Sequence, residues 1–259
     1  MLTTQESPAK PIVNRGAMRL AQGDVEGAEK LFRDAIALDP SNSTAHTNLG
    51  YVLACRERHD EAIAEAEEAI GLDPERSAPW AHMGMSYVAT GRVEEGLAAL
   101  ARAVRLDAGN HFAWDAMGRT LLALGRHEEA GVAWASALAS SPDDPDLLIS
   151  LAAALGAQDR MADAAGLLHR AVAVAPNLPR AWAQLGVVCL VRQDLGTARE
   201  ALSTALELDP ANEEAQFHVA VLDIVTGDLA GARGILTALA SADGSWSSEA
   251  QGMLDRLGT

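Results

Sequence analysis

Residues 77–110, SAPWAHMGMSYVATGRVEEGLAALARAVRLDAGN, hold two helical patterns with a break between them. In the first, Trp80, Met83, Gly84 and Tyr87 recur at steps of three and four residues; in the second, Gly96, Leu100 and Ala103 do the same. An α-helix turns about 100° per residue, so each set falls on one face. Thr90-Gly91 divides the two, and glycine is both a poor helix former and a ready turn residue. The same skeleton returns 34 residues earlier and 34 residues later, without insertion or deletion, from residue 9 to residue 244. Seven copies of a helix pair are therefore expected.

The end of each copy falls at Pro40, Pro74, Ala108, Pro142, Pro176, Pro210 and Gly244. Proline lacks the backbone donor and restricts the residue before it, so it closes the second helix. Three further columns hold small residues. One runs Gly16, Gly50, Gly84, Gly118, Ala152, Gly186, Ala220, and the next Ala28, Ala62, Gly96, Ala130, Ala164, Ala198, Ala232. The third runs Ala35, Ala69, Ala103, Ala137, Ala171, Ala205 and ends in Leu239. Two helices approach closely only where neither carries bulk, and these columns place the close points once per copy.

These residues resemble the tetratricopeptide repeat. Trp80, Trp114 and Trp182 take its first large position, Leu49-Gly50 and Leu185-Gly186 its Leu-Gly pair, and Met83-Gly84 and Met117-Gly118 approximate that pair. Tyr87 takes the tyrosine place, and Phe32 and Trp134 the phenylalanine place. The departures lie at the ends: Arg15 and Arg19 stand where apolar residues are expected, and Asp223 stands at the tyrosine place. The expected architecture is an all-α, right-handed α-solenoid (superhelix) of seven tetratricopeptide helix pairs over residues 9–244, in one array. A flexible polar lead-in over residues 1–8 precedes it. Residues 245–259 read as a C-terminal capping helix, with Ala250, Met253, Leu254 and Leu257 in one apolar stripe and Gln251, Asp255 and Arg256 toward water.

Composition excludes several classes of function. A net charge of −16 opposes binding nucleic acid through its phosphates. No apolar run is long enough for a bilayer, and the first ten residues lack the layout of a secretory signal, so membrane insertion is not expected and a cytoplasmic location is the default. Cys55 and Cys189 lie four repeats apart, too far for a disulfide in a solenoid, and both are expected as small buried thiols.

Within each first helix the core positions occupy one arc, which leaves positions 2, 5, 6, 9, 12 and 13 of the repeat facing outward. The resemblance implies that this arc is a concave groove for an extended peptide or a partner's helix. Position 6 reads Asn14, Asn48, His82, Ala116, Ser150, Gln184 and His218, of which six can hydrogen-bond. The column is similar to the asparagine ladder in the repeats of O-linked GlcNAc transferases, although only two of the seven are asparagine. Either it clasps a peptide backbone or it is simply solvated. Around it lie Tyr51, Met85, Val187, Phe217, Val221 and Ile224, which either receive an apolar ligand or bury against one another. Arg119 has Asp115 four residues earlier and is expected in an intrahelical pair, whereas Arg180 is freer to meet a carboxylate. A carboxylate clamp for chaperone tails is rejected, because its five places hold Val13, Ala17, Asn48, Ala78 and His82.

Phosphate-loop, dinucleotide, nucleophile-elbow and zincin motifs are all absent, and no spacing of histidines suggests a metal site, so neither catalysis nor a cofactor is expected. The acidic pairs Glu94-Glu95, Glu128-Glu129 and Glu213-Glu214 fall in first helical turns, where the helix dipole favours them. The expected function is a non-catalytic scaffold or adaptor that binds a protein or peptide partner. The alternatives are a regulatory or substrate-recruiting subunit of a separately encoded enzyme, and a self-assembling scaffold that pairs as a homo-oligomer.

Overall fold

The computed structural model describes residues 7–242 and 244–258. Fifteen α-helices and no strand occur among them. Packing gathers the chain into two compact units, Met1–Ser140 and Ser141–Thr259. The first unit contains α1 (Lys10–Ala21), α2 (Val25–Leu38), α3 (Ser43–Cys55), α4 (His59–Leu72), α5 (Ser77–Ala89), α6 (Val93–Leu106), α7 (His111–Ala123) and α8 (His127–Ser140). The second contains α9 (Pro145–Ala157), α10 (Met161–Val174), α11 (Pro179–Val191), α12 (Leu195–Leu208), α13 (Glu213–Thr226), α14 (Leu229–Ser241) and α15 (Ser247–Gly258). Odd- and even-numbered helices pair as the 34-residue frame requires. Within the first unit α1, α3, α5 and α7 lie side by side, as do α9, α11 and α13 in the second.

Side chains at the helix starts explain the boundaries. Asn42, Asn110 and Asn212 each accept the backbone N–H three residues on, at 2.9–3.0 Å, and so cap α3, α7 and α13. Asp24, Asp194 and Asp228 cap α2, α12 and α14 in the same way, at 2.9, 3.3 and 3.0 Å. The second helices between these ends begin instead on Arg58, Arg92, Arg126 and Arg160, each paired with a carboxylate three residues on, at Glu61, Glu95, Glu129 and Asp163. Glu95 and Glu129 are thus first-turn carboxylates, as expected, with an arginine partner that the dipole argument did not include.

The turn inside each pair has one left-handed residue, at Gly23, Glu57, Gly91, Gly125, Asp159, Gln193 and Gly227, all spaced by 34. Another column fastens one repeat to the next. Trp80, Trp114 and Trp182 donate their indole N–H to the carbonyls of Pro74, Ala108 and Pro176, at 3.4, 3.0 and 2.8 Å. Gln216 donates to Pro210 at 2.7 Å, and His46 Nε2 meets the Pro40 carbonyl at 3.1 Å. Each of these side chains satisfies a carbonyl in the closing turn before its own helix.

The small columns sit at the helix crossings. A Cβ on Gly84 would lie 2.9 Å from the Gly96 carbonyl oxygen, and one on Gly96 would lie 2.8 Å from that of Gly84. Gly118 leaves room for the indole of Trp134, to which an added Cβ would come within 2.6 Å. Trp134, Phe32, Leu100 and Leu202 are accordingly fully buried.

The end repeats handle their polar departures by pairing. Arg19 reaches Asp24, the cap of α2, at 2.8 Å. Asp223, buried at the tyrosine place, accepts from Arg199 of α12 at 3.0 Å. Of the lead-in, residues 1–6 lie outside the described residues. The Ser7 hydroxyl donates to Asp39 and accepts from Asn42. Helix α15 begins 34 residues after α13, so it stands where the repeat frame places a first helix. Cys189 is buried as expected, and burial pushes its thiol pKa up. Cys55 is corrected: it is exposed, because it is the last residue of α3 and stands at repeat position 13, in the outward arc.

Candidate functional site

In the first unit the outward faces of α3, α5 and α7 form a run of three adjoining hollows. The largest, about 410 Å³, lies between α5 and α7 and is walled by Met85, Val88, Phe112, Ala116 and Thr120, with Asp115 and Arg119 at its polar side. The second, about 370 Å³, is lined by Asn48, Tyr51, Ala78, His82, Asn110 and Phe112. The third, about 240 Å³, lies deeper among Tyr51, Cys55, His59, His82, Met85 and Ser86. Phe112 lines all three.

Their chemistry follows from the walls. The His82 ring is stacked between Tyr51, with centroids 5.1 Å apart, and the edge of Phe112, 6.0 Å away. Burial holds its pKa down to about 4, against a hydrogen bond to the Thr47 backbone that acts the other way. His82 is therefore neutral at physiological pH. The phenol of Tyr51 is raised above its ordinary value, first by the charge of a neighbouring Cys55 thiolate, then by its hydrogen bond to that thiol and by burial. Arg119 is well exposed and lies 4.0 Å from Asp115, the intrahelical pair expected from the sequence. Asp115 also accepts from the Trp134 indole at 2.8 Å, which ties this wall to the core. Among the described residues no cluster of three or more His, Cys, Asp or Glu could hold a metal ion.

The structure thus brings Asn48, Tyr51, His82, Met85 and Arg119 onto one face of the first unit. Asn14 is exposed on α1 and lines none of the three hollows. The remaining candidates belong to the second unit, and most of them are already engaged. Arg180 meets Asp146 of α9 at 3.4 Å. Gln184 donates to Glu214 of α13 at 2.6 Å, and Nδ1 of His218 bonds the Glu214 carbonyl at 2.8 Å.

The expectation of an open face at Phe217 and Val221 is corrected. Phe217 is only 9% exposed, its ring 4.8 Å from that of Trp246, and Val221 packs into the same cluster. Trp246 also stacks edge-on against His218 at 5.4 Å. The segment leading into α15 is held there by Glu213, which accepts from the Ser245 hydroxyl and the Trp246 N–H. The residue that the sequence reading missed is Phe112, which is 37% exposed. It stands at repeat position 2, inside the outward arc, so its register was the available signal.

Comparison with known proteins places these observations. The sequence profile of the cilia and flagella-associated protein 70 C-terminal domain matches residues 5–222, and a tetratricopeptide repeat profile matches residues 192–257. No curated protein matches the sequence. Among solved structures, PilF of Pseudomonas aeruginosa is 20% identical with a TM-score of 0.69, over 80% of this chain and 95% of that one. PilW, described as a widely conserved type IV pilus biogenesis factor, is 16% identical with a TM-score of 0.71, over 82% and 98%. YrrB, described as a TPR protein with an unusual peptide-binding site, is 19% identical with a TM-score of 0.59, over 71% and 95%. At these identities the likeness is one of fold.

Proposed function

The chain belongs to the tetratricopeptide repeat family, and from that premise we propose that it is a non-catalytic adaptor whose first unit binds a segment of a partner protein across α3, α5 and α7. Members of the family bind protein partners and are generally non-catalytic. The observation that carries the reading is the run of three hollows joined by Phe112. Their walls are mostly apolar, with Asn48 offering an amide donor and acceptor at one end, a combination suited to side chains that insert while a backbone is held. Arg119 is the sole Lys or Arg lining them and is drawn to Asp115, so a carboxylate-rich segment gains little here, and the net charge of −16 favours a neutral or basic one.

Selection from a displayed peptide library tests this. Peptides enriched on the full chain should bind at least tenfold more weakly to Asn48→Ala/Phe112→Ala, a variant expected to keep the parent's helicity. Enriched peptides that bind both proteins equally would refute the groove.

A further inference from the structure

The third and the seventh repeats carry a histidine at the same place, repeat position 6, as His82 and His218. Beside His82 the side chains at positions 5 and 34 are Ala81 and Asn110, and all three line the open hollow of about 370 Å³. Beside His218 the same two positions hold Phe217 and Trp246. Their rings occupy the place. Trp246 lies 4.8 Å from Phe217 and 5.4 Å from His218, and the last two are 5.5 Å apart. Tilted and edge-on ring pairs at such separations attract. The second unit therefore holds a counterpart of a first-unit hollow, with an aromatic side chain of the chain itself seated in it.

Trp246 is the residue just before α15, and a latch holds it there. One carboxylate oxygen, Oε2 of Glu213, accepts from the Ser245 hydroxyl at 3.1 Å and from the Trp246 backbone N–H at 3.3 Å. Gly244 leaves room for that carboxylate, which an added Cβ would strike. The latch fixes the backbone that aims the indole, and Trp246 is only half-buried. Helix α15 has anchors that do not involve the indole. Ala250 is fully buried, Leu254 and Leu257 pack with Leu236 and Leu239 of α14, and the Ser247 hydroxyl donates to the Ala240 carbonyl at 3.2 Å. The indole can thus leave its seat by rotating about its own side-chain bonds while the helix stays docked.

We propose that Trp246 is an autoinhibitory side chain: it closes a second binding place on α13, at Phe217 and His218, and yields it to an aromatic side chain of a partner segment. What sits there now sets the class of the occupant, a ring laid on two rings. The proposal rests on the reading of the first-helix faces as binding faces and adds how one part of them is kept shut.

The probe is the peptide Ac-Gly-Ser-Trp-Ser-NH2, which copies residues 244–247, with Ac-Gly-Ser-Leu-Ser-NH2 as comparator. Binding to the full chain is read by the methyl resonance of Ile224, which packs in the same cluster and which an Ile224→Val sample assigns. Trp246→Ala should bind the tryptophan peptide at least tenfold more tightly than the parent does, and at least fivefold more tightly than it binds the leucine peptide. Glu213→Ala keeps the indole and removes the latch, so its affinity should lie between those of Trp246→Ala and the parent. This variant separates an exchangeable side chain from a fixed one. If the tryptophan peptide saturates Trp246→Ala yet shifts neither the parent nor Glu213→Ala at ten times that concentration, Trp246 is core filling and the proposal falls. No saturable shift in Trp246→Ala, equal affinity of that variant and the parent, or equal affinity for the two peptides would overturn it as well. Should Trp246→Ala lose helicity, Glu213→Ala against the parent decides, and no gain in affinity there overturns the proposal. Ile224 reports on the second unit, so failure here leaves any Phe112-dependent peptides of the first unit standing, and their failure would not move this readout.

Discussion

Seven residues adopt the left-handed turn between paired helices, and they differ in what that conformation costs them. Gly23, Gly91, Gly125 and Gly227 have no Cβ to clash, whereas Glu57, Asp159 and Gln193 hold φ near 60° against a penalty of about 1–2 kcal/mol. A Gln193→Gly change relieves that penalty but adds chain entropy of about 0.5–1 kcal/mol to the unfolded state, so the two nearly offset. Gly227→Ala has no such compensation, because φ there is 91°. Urea unfolding should find Gln193→Gly within about 0.5 kcal/mol of the parent and Gly227→Ala about 1 kcal/mol or more below it. Equal stability of Gly227→Ala and the parent would remove the turn argument. The same column shows how far single residues can be read. Thr90-Gly91 announces its turn, while Glu57, Asp159 and Gln193 do not: glutamate and glutamine have no preference for a positive φ, and the tolerance of aspartate for it is too weak to mark a turn by itself. Only the 34-residue frame locates them.

Between elements, the most heavily used contact joins α2 to the turn between α3 and α4. Glu29, 7% exposed on α2, accepts from Arg33 at 3.0 Å, Arg56 at 2.6 Å and Arg58 at 2.8 Å. Burial alone would raise its carboxyl pKa, but the hydrogen bonds from Arg33, Arg58 and Arg56 outweigh it and hold the value below the ordinary one. A carboxylate depressed in the folded state stabilises fully above its unfolded pKa, about 4.3, and loses that contribution as pH falls through the lower folded value. The melting temperature of the parent should therefore hold above about pH 5 and drop below about pH 4. Glu29→Gln leaves three guanidinium groups converging on an uncharged amide. It should cost on the order of 1–2 kcal/mol near pH 7, with the arginines' partial exposure limiting the loss, and flatten the acid limb. An unchanged acid limb in Glu29→Gln would show that this carboxylate does not govern it. None of this was readable beforehand. Arg56 and Arg58 are 27 and 29 residues from Glu29, and their reach depends on where the turn lands.

Across the whole molecule, each helix pair of the solenoid leaves an apolar face for the next element, and after the seventh pair α15 covers that face. Its stripe of Ala250, Met253, Leu254 and Leu257, read from the sequence as the buried side, packs with Leu236 and Leu239 of α14 and with Phe217, and Ala250 is fully buried. A chain ended at Ser241 would leave that apolar face uncovered. It should melt several degrees lower and bind a hydrophobic dye that the parent does not. Parent-like melting without dye binding would mean that the last helix is dispensable.

The sequence by itself determined the repeat length, the turns that close each helix pair, the crossings at Gly84, Gly96 and Gly118, and the arc that faces outward. These are local quantities: rotation of 100° per residue and the volume of a side chain do not depend on what lies elsewhere. The tertiary structure decided which parts of that arc stay open. Phe217 and Met85 both lie in the outward arc of the repeat, yet one lies under Trp246 and the other is 38% exposed beside a hollow. Gln184 is taken by Glu214, thirty residues away, and Arg180 by Asp146. Periodicity gives a side chain its direction, whereas its cover comes from groups remote in the chain, and no local pattern records them.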